Sequence, residues 1–160
     1  IYRSTAKDGD YQNIKTINSV GTSSWTDGSV KTGKTYYYKI KTVVKTQNGE
    51  QTSGFSNVKS AKAVPAKTTL KAKASDAKNV KLTWSKVKGA SGYEIYRSNS
   101  KDGKCSKVKT ISKGSTTSYK NGKLKKSTTY YYKIRAYRKV NGKKVYGSYS
   151  SVVSVKTKAK

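Results

Sequence analysis

Two similar stretches of the chain, residues 36–41 and 130–135, alternate regularly between two kinds of side chain. In the second stretch, Tyr130, Tyr132 and Ile134 occupy every other position, and tyrosine or cationic residues stand between them. A period of two is typical of a β-strand with one face toward a core and one toward water. We therefore predict a strand in each stretch, and expect the other strands to pack on these two or pair with them.

The first stretch predicts one continuous strand over residues 36–44, in which Tyr36, Tyr38 and Ile40 face inward. In the second half of the chain, alternation and the Asn-Gly and Asp-Gly turns predict further strands. These predicted strands are residues 68–74, 80–84, 93–98, 108–111, 116–119, 129–138 and 145–157. About seven short strands in roughly 94 residues is what an immunoglobulin-like antiparallel β-sandwich needs.

The two halves of the chain are related by a repeat with an offset of 94 residues. The offset relates IYRS at residue 1 to IYRS at residue 95, and KDG at residue 7 to KDG at residue 101. A repeat of this length corresponds to a whole domain, because the repeats of solenoid proteins are shorter. We therefore predict two domains, residues 1–64 and residues 65–160, joined by a short, stiff segment around Pro65. Residues 67–94 have no counterpart, so the first domain is predicted to lack its two opening strands.

The composition shows a strong positive charge, and it lacks residues that several kinds of catalytic or metal chemistry need. The net charge is +29, from 36 Lys and Arg against 7 Asp and Glu, and there is no His and only one Cys. Such a surface is either a hydrated one, with Lys protecting sheet edges from aggregation, or one that attracts polyanions. The hydrated surface is the favoured interpretation. No stretch is long and apolar enough to span a bilayer.

The spacing of aromatic residues resembles that of the fibronectin type III family. The residues that carry the resemblance in the second half are Trp84, the run GYEI at residues 92–95, and Leu124 followed six residues later by Tyr130. In that family the Leu-to-Tyr spacing marks the tyrosine corner, whose hydroxyl is tied to nearby backbone. The resemblance covers nearly the whole chain. It implies a fold of tandem fibronectin type III β-sandwiches that packing alone stabilises.

The first half repeats the corner as Val30 followed by Tyr36, and it keeps the family's usual Gly at Gly33. The second half departs from the family there, with Ser127 in place of Gly. The Lys- and Tyr-rich repeats also resemble those of secreted or wall-attached proteins of Gram-positive bacteria. That resemblance implies an extracellular location, secreted or associated with the cell wall, as part of a longer polypeptide with flanking domains.

No motif in the chain indicates catalysis, a metal site or a cofactor. The absence of His removes the commonest general base and metal ligand. Most of the acidic residues fall in predicted turns, and Glu94 is the only acid on a predicted strand of the second domain. We therefore expect no enzyme activity, no catalytic residues, no metal and no cofactor.

A ligand could be bound on the solvent-facing side of the sheet, where tyrosine and cationic side chains alternate. The candidate residues are Tyr131, Lys133, Arg135, Tyr137, Tyr96, Tyr37, Lys39 and Lys41. Aromatic rings could stack on sugars or bases while Lys meets phosphates or carboxylates. The alternative is cross-strand packing, in which these side chains shield the sheet. Packing is favoured, because Tyr and Lys are also good residues for the solvent face of a strand.

Three functional hypotheses follow from the sequence. The first is a non-catalytic extracellular spacer or adhesion module of a larger bacterial protein. The second is a module that binds a polyanion or glycan, such as an anionic cell-wall polymer or a host glycan; nucleic acid is less favoured, because Lys dominates over Arg. The third concerns the first domain, whose core would expose Tyr36, Tyr38 and Ile40. It would be completed by residues outside this chain, or by strand donation from another chain.

Overall fold

The computed structural model describes all 160 residues and divides them into two compact units, Ile1–Ala63 (unit 1) and Val64–Lys160 (unit 2). Both units consist of β-strands and connecting loops. None of the chain forms a helix with the length and apolar character that a bilayer span needs.

The strands are short in both units. Those of unit 1 are β1 (Tyr2–Ser4), β2 (Gln12–Asn13), β3 (Thr35–Lys39), β4 (Val43–Thr46), β5 (Gly49–Thr52) and β6 (Lys59–Lys62). Those of unit 2 are β7 (Leu70–Ala74), β8 (Val80–Trp84), β9 (Gly92–Ser98), β10 (Ser106–Ile111), β11 (Ser118–Asn121), β12 (Thr129–Val140), β13 (Lys143–Tyr146) and β14 (Val153–Lys156).

Unit 2 is a sandwich of two antiparallel sheets. One sheet has the order β10-β9-β12, with β13 and β14 both paired to β12, and the other has the order β11-β8-β7. The inward residues of β12, from Tyr130 to Ala136, are buried as predicted, because they meet Val80, Leu82 and Trp84 of β8 in one hydrophobic core. The predicted all-β, immunoglobulin-like architecture is therefore confirmed.

The predicted tyrosine corner forms in both units. In unit 2 the backbone N–H of Lys125 donates a hydrogen bond to the hydroxyl oxygen of Tyr130, at 2.9 Å. In unit 1 the backbone N–H of Lys31 donates in the same way to Tyr36, at 3.0 Å. Each bond satisfies a loop N–H that no strand pairs, and it holds the aromatic ring at the start of its strand.

The prediction of one unbroken strand over residues 145–157 of unit 2 is wrong. The structure has two strands there, β13 and β14, which pair with different parts of β12. Between them, the backbone N–H of Ser150 donates to the carbonyl of Ile134 at 2.7 Å, and the Ser150 hydroxyl accepts from the N–H of Ile134 at 3.1 Å. A side-chain oxygen thus replaces a backbone carbonyl, so the regular ladder stops while the hydrogen bonds stay satisfied.

Unit 1 has one sheet of four strands, in the order β2-β1-β3-β6, and a separate hairpin of β4 and β5. The prediction of one continuous strand over residues 36–44 is wrong, because β3 ends at Lys39. In the register of the sheet, Lys39 lies opposite Tyr2, the first residue of β1. Beyond this pair no strand lies beside β3 on that edge. On the opposite edge, just before β6, the backbone N–H of Ile40 donates to the Ser56 hydroxyl at 3.0 Å.

The inward face of β3 is only partly exposed. Ile40 is 51% exposed, in agreement with the prediction of an uncovered core, whereas Tyr36 is only 7% exposed, contrary to it. The guanidinium of Arg3 lies 5.2 Å from the centre of the Tyr36 ring, and the tyrosine corner holds the hydroxyl. The Tyr36 ring is therefore buried by the sheet's own residues.

Candidate functional site

The outer face of the larger sheet of unit 2 brings three of the predicted ligand residues together. Tyr96 on β9 and Lys133 and Arg135 on β12 are half-buried neighbours there, since β9 and β12 pair directly. Tyr131 lies on the same strand and is also half-buried, but it makes none of the ring or ionic contacts described below.

The centre of this face is Glu94, whose side chain is only 1% exposed. One carboxylate oxygen accepts hydrogen bonds from the Arg135 guanidinium at 2.9 Å and the Tyr96 hydroxyl at 2.8 Å. The other accepts from the Lys144 ammonium at 3.0 Å and the Tyr146 hydroxyl at 3.1 Å. The sequence placed Glu94 on this face but missed its role as the hub. The sequence feature that could have revealed this role is that Glu94 is a single acid on a predicted strand of a domain rich in cations.

The network fixes the ionisation of its members. Burial opposes the charge on Glu94, but hydrogen bonds from Tyr96, Arg135, Lys144 and Tyr146 outweigh burial and lower the pKa of Glu94 to about 2. Burial and the hydrogen bond to Glu94 raise the pKa of Tyr96. The hydrogen bond to Glu94 raises the pKa of Lys144 as well. At neutral pH the hub is therefore an ionised carboxylate among cations and neutral hydroxyls.

Cations stack on aromatic rings around this hub. The Arg135 guanidinium lies 3.7 Å from the centre of the Tyr146 ring and 4.9 Å from that of Tyr149. The Lys133 ammonium lies 4.4 Å from the Tyr149 ring centre, and Tyr96 and Tyr149 meet edge to face at 5.2 Å. These contacts are favourable electrostatically, and they hold each charge in place on the sheet.

The same arrangement recurs in unit 1, 94 residues earlier. The Lys39 ammonium lies 4.0 Å from the ring centre of Phe55, and Tyr2 meets Phe55 edge to face at 4.9 Å. Lys41 lies 5.5 Å from the ring of Tyr2. Tyr37 is half-buried on β3 and takes no part in these contacts. We call the two sets together the aromatic–cation faces: Tyr2, Lys39, Lys41 and Phe55 in unit 1, and Tyr96, Lys133, Arg135 and Tyr149 in unit 2.

The prediction that Tyr137 faces a ligand is wrong, because its side chain is only 1% exposed. Tyr137 lies opposite Gly92 in the β9–β12 register, and its ring occupies the space that a side chain would fill there. A Cβ atom at Gly92 would lie 2.6 Å from the Tyr137 hydroxyl oxygen and would collide with the carbonyl of Ile111. Tyr146 covers the ring from the other side, with the ring centres 6.2 Å apart. The alternation of residues correctly predicts that Tyr137 lies on the outer side of the sheet, but it does not predict that Tyr146 covers its ring there.

A second polar cluster lies beneath each tyrosine corner. In unit 1 the Asp27 carboxylate accepts from the Arg3 guanidinium at 2.6 Å and the Tyr38 hydroxyl at 3.0 Å. Burial opposes the charge on Asp27, but bonds from Ser29, Arg3 and Tyr38 lower its pKa to about 2. Burial and the bond to Asp27 raise the pKa of Tyr38 to about 12.

In unit 2 the repeat-related side chains are Arg97, Asn121 and Tyr132. The Asn121 amide oxygen accepts from Arg97 at 3.1 Å and from the Tyr132 hydroxyl at 2.8 Å. The geometry is kept although a neutral amide replaces the carboxylate. Both clusters are therefore structural ties: Asp27, in a loop, joins β1 to β3, and Asn121, at the end of β11, joins β9 to β12.

The polar groups of the faces are arranged for packing rather than for proton transfer. Both oxygens of Glu94 already accept two hydrogen bonds each, and a pKa of about 2 lies far from the range that suits a general base at neutral pH. The chain holds no group of three or more His, Cys, Asp or Glu side chains arranged to bind a metal ion.

No protein-family model matches the chain, and no match was found among curated proteins. Solved structures do match it. The sixth fibronectin type III domain of human fibronectin type III domain containing protein 3 matches with a TM-score of 0.51 and 18% identity, over 62% of this chain and 92% of that chain. The fn3 domain of human contactin 1 matches with a TM-score of 0.50 and 18% identity, over 62% and 81%.

A longer structure matches almost the whole chain. The FN1–FN3 domains of chicken CNTN1 match with a TM-score of 0.52 and 20% identity, over 98% of this chain. This chain spans about half of that structure, namely 55% of its length. At these identities the likeness shows the fold. The chain has the fibronectin type III fold that the sequence resemblance implies.

Proposed function

We propose that the chain is a non-catalytic interaction or spacer module of a larger bacterial surface or secreted protein. The fibronectin type III fold supports a structural role, and the resemblance of the repeats to those of wall-attached proteins supports an extracellular one. The observation that carries the proposal is the closed network around Glu94, since the single acid of the outer face is fully used in holding three strands together.

Turnover assays test the absence of catalysis. The purified chain and its Glu94→Gln variant would be incubated with panels of glycan, peptide and ester substrates. We expect no product above the buffer control for either protein. Turnover by the wild-type chain that Glu94→Gln abolishes would contradict the proposal, because the carboxylate would then do chemistry.

Binding of an anionic polymer is a second candidate function, and the recurrence of the aromatic–cation faces favours it. Lys39 and Lys133 occupy equivalent positions and stack on Phe55 and Tyr149 in the same way. A cation beside a ring is a combination that can meet an acidic sugar, with the ring against the sugar face and the ammonium on the acid. The net charge of +29 would add a long-range attraction to any polyanion.

Salt elution from heparin and from teichoic acid matrices separates face-specific binding from general charge attraction. The test compares Lys39→Gln/Lys133→Gln with Lys71→Gln/Lys73→Gln, which removes the same charge from exposed positions of β7. If the faces bind, the first variant elutes at clearly lower salt than the second. Equal shifts, or no retention of the wild-type chain at physiological salt, would contradict face-specific binding.

A further inference from the structure

The smaller sheet of unit 2 has a pocket on the side that faces away from the hydrophobic core. The pocket has a volume of about 250 Å³. Its lining residues are Ser75, Lys81, Ser118, Tyr119 and Lys120. Lys81 points outward there, because its neighbours Val80 and Leu82 are buried in the core and side chains alternate along a strand. The pocket is therefore open to a dissolved ligand.

Positive charges lie side by side across this sheet. Lys81 of β8 is directly opposite Lys120 of β11 and, on its other side, directly opposite Lys73 of β7. Adjacent strands are about 4.8 Å apart, and like charges in such pairs destabilise a sheet. Lysine often protects a sheet edge from aggregation, but β8 is the central strand of the three. Edge protection therefore does not explain Lys81.

The lysines of the pocket have no ionic partner within the protein. On the larger sheet, Arg135 and Lys144 both bind Glu94, so much of their charge is neutralised there. Lys81 and Lys120 instead form no salt bridge, and neither ammonium group lies over an aromatic ring. Both ammonium groups are therefore available to a negatively charged ligand.

One acid lies near the pocket, but its carboxylate is already used. Asp76, in the turn after β7, accepts hydrogen bonds from the N–H of Lys78 at 2.8 Å and from the side-chain amide of Asn79 at 2.8 and 2.9 Å. Hydrogen bonds from Lys78 and Asn79 lower the pKa of Asp76, and the charge of Lys120 contributes to this. Asp76 forms no salt bridge with Lys120, so it does not occupy the pocket in place of a ligand.

Two serine hydroxyls add neutral donors to the lysines. Ser75 directly follows β7, and Ser118 begins β11. Both side chains are exposed, and neither hydroxyl is engaged in a hydrogen bond within the protein. Ammonium and hydroxyl groups both donate to an anionic oxygen, so the lining offers donors from two lysines and two serines to one ligand.

We propose that this pocket binds a phosphate group, carried by a small ester or by one unit of a phosphodiester polymer. Lys81 and Lys120 bind its oxygens as point charges, and Ser75 and Ser118 donate to the remaining oxygens. A tetrahedral group fits these donors better than a carboxylate does, because its oxygens point in several directions whereas the two of a carboxylate lie in one plane. The pocket is on a different sheet from the aromatic–cation face of unit 2, so it does not rest on the binding proposed for those faces.

The test is an NMR titration of the isotope-labelled chain with inorganic phosphate, glycerol phosphate and poly(glycerol phosphate) at constant ionic strength. We expect the amide signals of Ser75, Lys81, Ser118 and Lys120 to shift and to saturate with phosphate. Acetate at the same ionic strength should move them little. Saturation by all three compounds supports the phosphate group itself as the ligand, and saturation by the polymer alone supports a polymer unit.

Lys81→Gln/Lys120→Gln should weaken phosphate binding by about 10-fold or more, because hydrogen bonds from charged donors are stronger than neutral ones. The variant should fold, since it removes a pair of like charges from opposite positions. If it does not fold, Lys120→Gln alone takes its place, with an expected loss of about 3-fold or more. The matched control is Lys71→Gln/Lys73→Gln, which removes the same charge from the same sheet outside the pocket lining. It should lose about 3-fold at most, because solvent screens charges that the ligand does not contact.

Absence of a saturating shift with any of the phosphates would overturn the proposal. So would equal shifts with acetate, or equal losses in the two double variants, because general charge attraction would then account for the binding. Lys39→Gln/Lys133→Gln should leave phosphate binding at this pocket unchanged. A failure of the aromatic–cation faces to bind a polymer and a failure of this pocket are therefore seen in different variants.

Discussion

At the scale of single residues, the protein uses its few acids as anchors for many cations. Glu94 binds side chains from β9, β12 and β13, and Asp27, in a loop, binds Arg3 of β1 and Tyr38 of β3. The sequence could place Glu94 on an outward strand position and Asp27 in a turn. It could not give their partners, because these come from segments that are far apart in the chain.

Glu94→Gln should destabilise unit 2 by about 3 kcal/mol at pH 7, because the folded state lowers the pKa of Glu94 to about 2 and the ionised form is the one that binds Arg135 and Lys144. The pKa is lowered on folding, so this contribution is complete above the unfolded pKa and is lost as the pH falls through about 2. Urea unfolding of the wild type and variant between pH 7 and pH 2 should show two curves that converge in acid. Parallel curves would contradict the assignment.

Asp27→Asn should copy in unit 1 the neutral tie that unit 2 makes with Asn121. We expect it to cost unit 1 about 2 kcal/mol at pH 7 and almost nothing near pH 2, because the pKa of Asp27 is lowered to about 2 by the folded state. The reverse exchange, Asn121→Asp, should stabilise unit 2 above about pH 4, since Arg97 and Tyr132 already donate to that position. Hydrogen exchange measured separately in each unit checks both changes. A pH-independent effect of Asp27→Asn would refute the prediction.

At the scale of elements, alternation and turn residues predict the strands well, and the breaks in them poorly. The sequence predicts β8, β9 and β12 and the direction of their side chains, because a period of two repeats over several residues. It misses the breaks after Lys39 and Tyr146. Both depend on tertiary partners: no strand pairs with β3 beyond Tyr2, and between β13 and β14 the Ser150 hydroxyl takes the place of a backbone carbonyl.

Tyr130→Phe tests whether the tyrosine corner is an energetic tie or only a packed ring. The change keeps the ring but removes the acceptor for the partly buried N–H of Lys125, so we expect a loss of about 1–2 kcal/mol from unit 2. Tyr36→Phe is the matched variant and should cost unit 1 a similar amount, because Lys31 makes the same bond. Denaturant unfolding that is unchanged in both variants would show that water replaces the bond without loss.

At the scale of the whole molecule, the two units differ in how much apolar surface they enclose. Tyr36 is the one apolar or aromatic side chain of unit 1 that is buried, whereas unit 2 buries a continuous core from Leu70 to Ala136. The repeat in the sequence predicts this difference, because residues 67–94 supply half of that core and have no counterpart in unit 1. The sequence could not show that Tyr36 is nevertheless covered by Arg3.

Unfolding should therefore proceed in two steps, with unit 1 first. Hydrophobic burial is the main favourable term in folding, and unit 1 encloses much less of it. In a urea titration followed by hydrogen exchange and mass spectrometry, peptides from residues 1–63 should lose protection at lower urea than those from residues 67–160. A single transition shared by all peptides would contradict this expectation.

The ends of unit 2 have a mechanical consequence. Near its entry, the Lys67 ammonium lies 3.5 Å from the Ser151 hydroxyl, just before β14. Near its exit, the N–H of Lys158 donates to the carbonyl of Asp76, just after β7, at 3.4 Å. The first and last strands therefore run in the same direction, and the chain leaves from the pole opposite to the one it enters. Tension on the two ends would slide β7 lengthwise along β14 and load all their contacts at once, so resistance to stretching would be governed by the unfolding rate of unit 2.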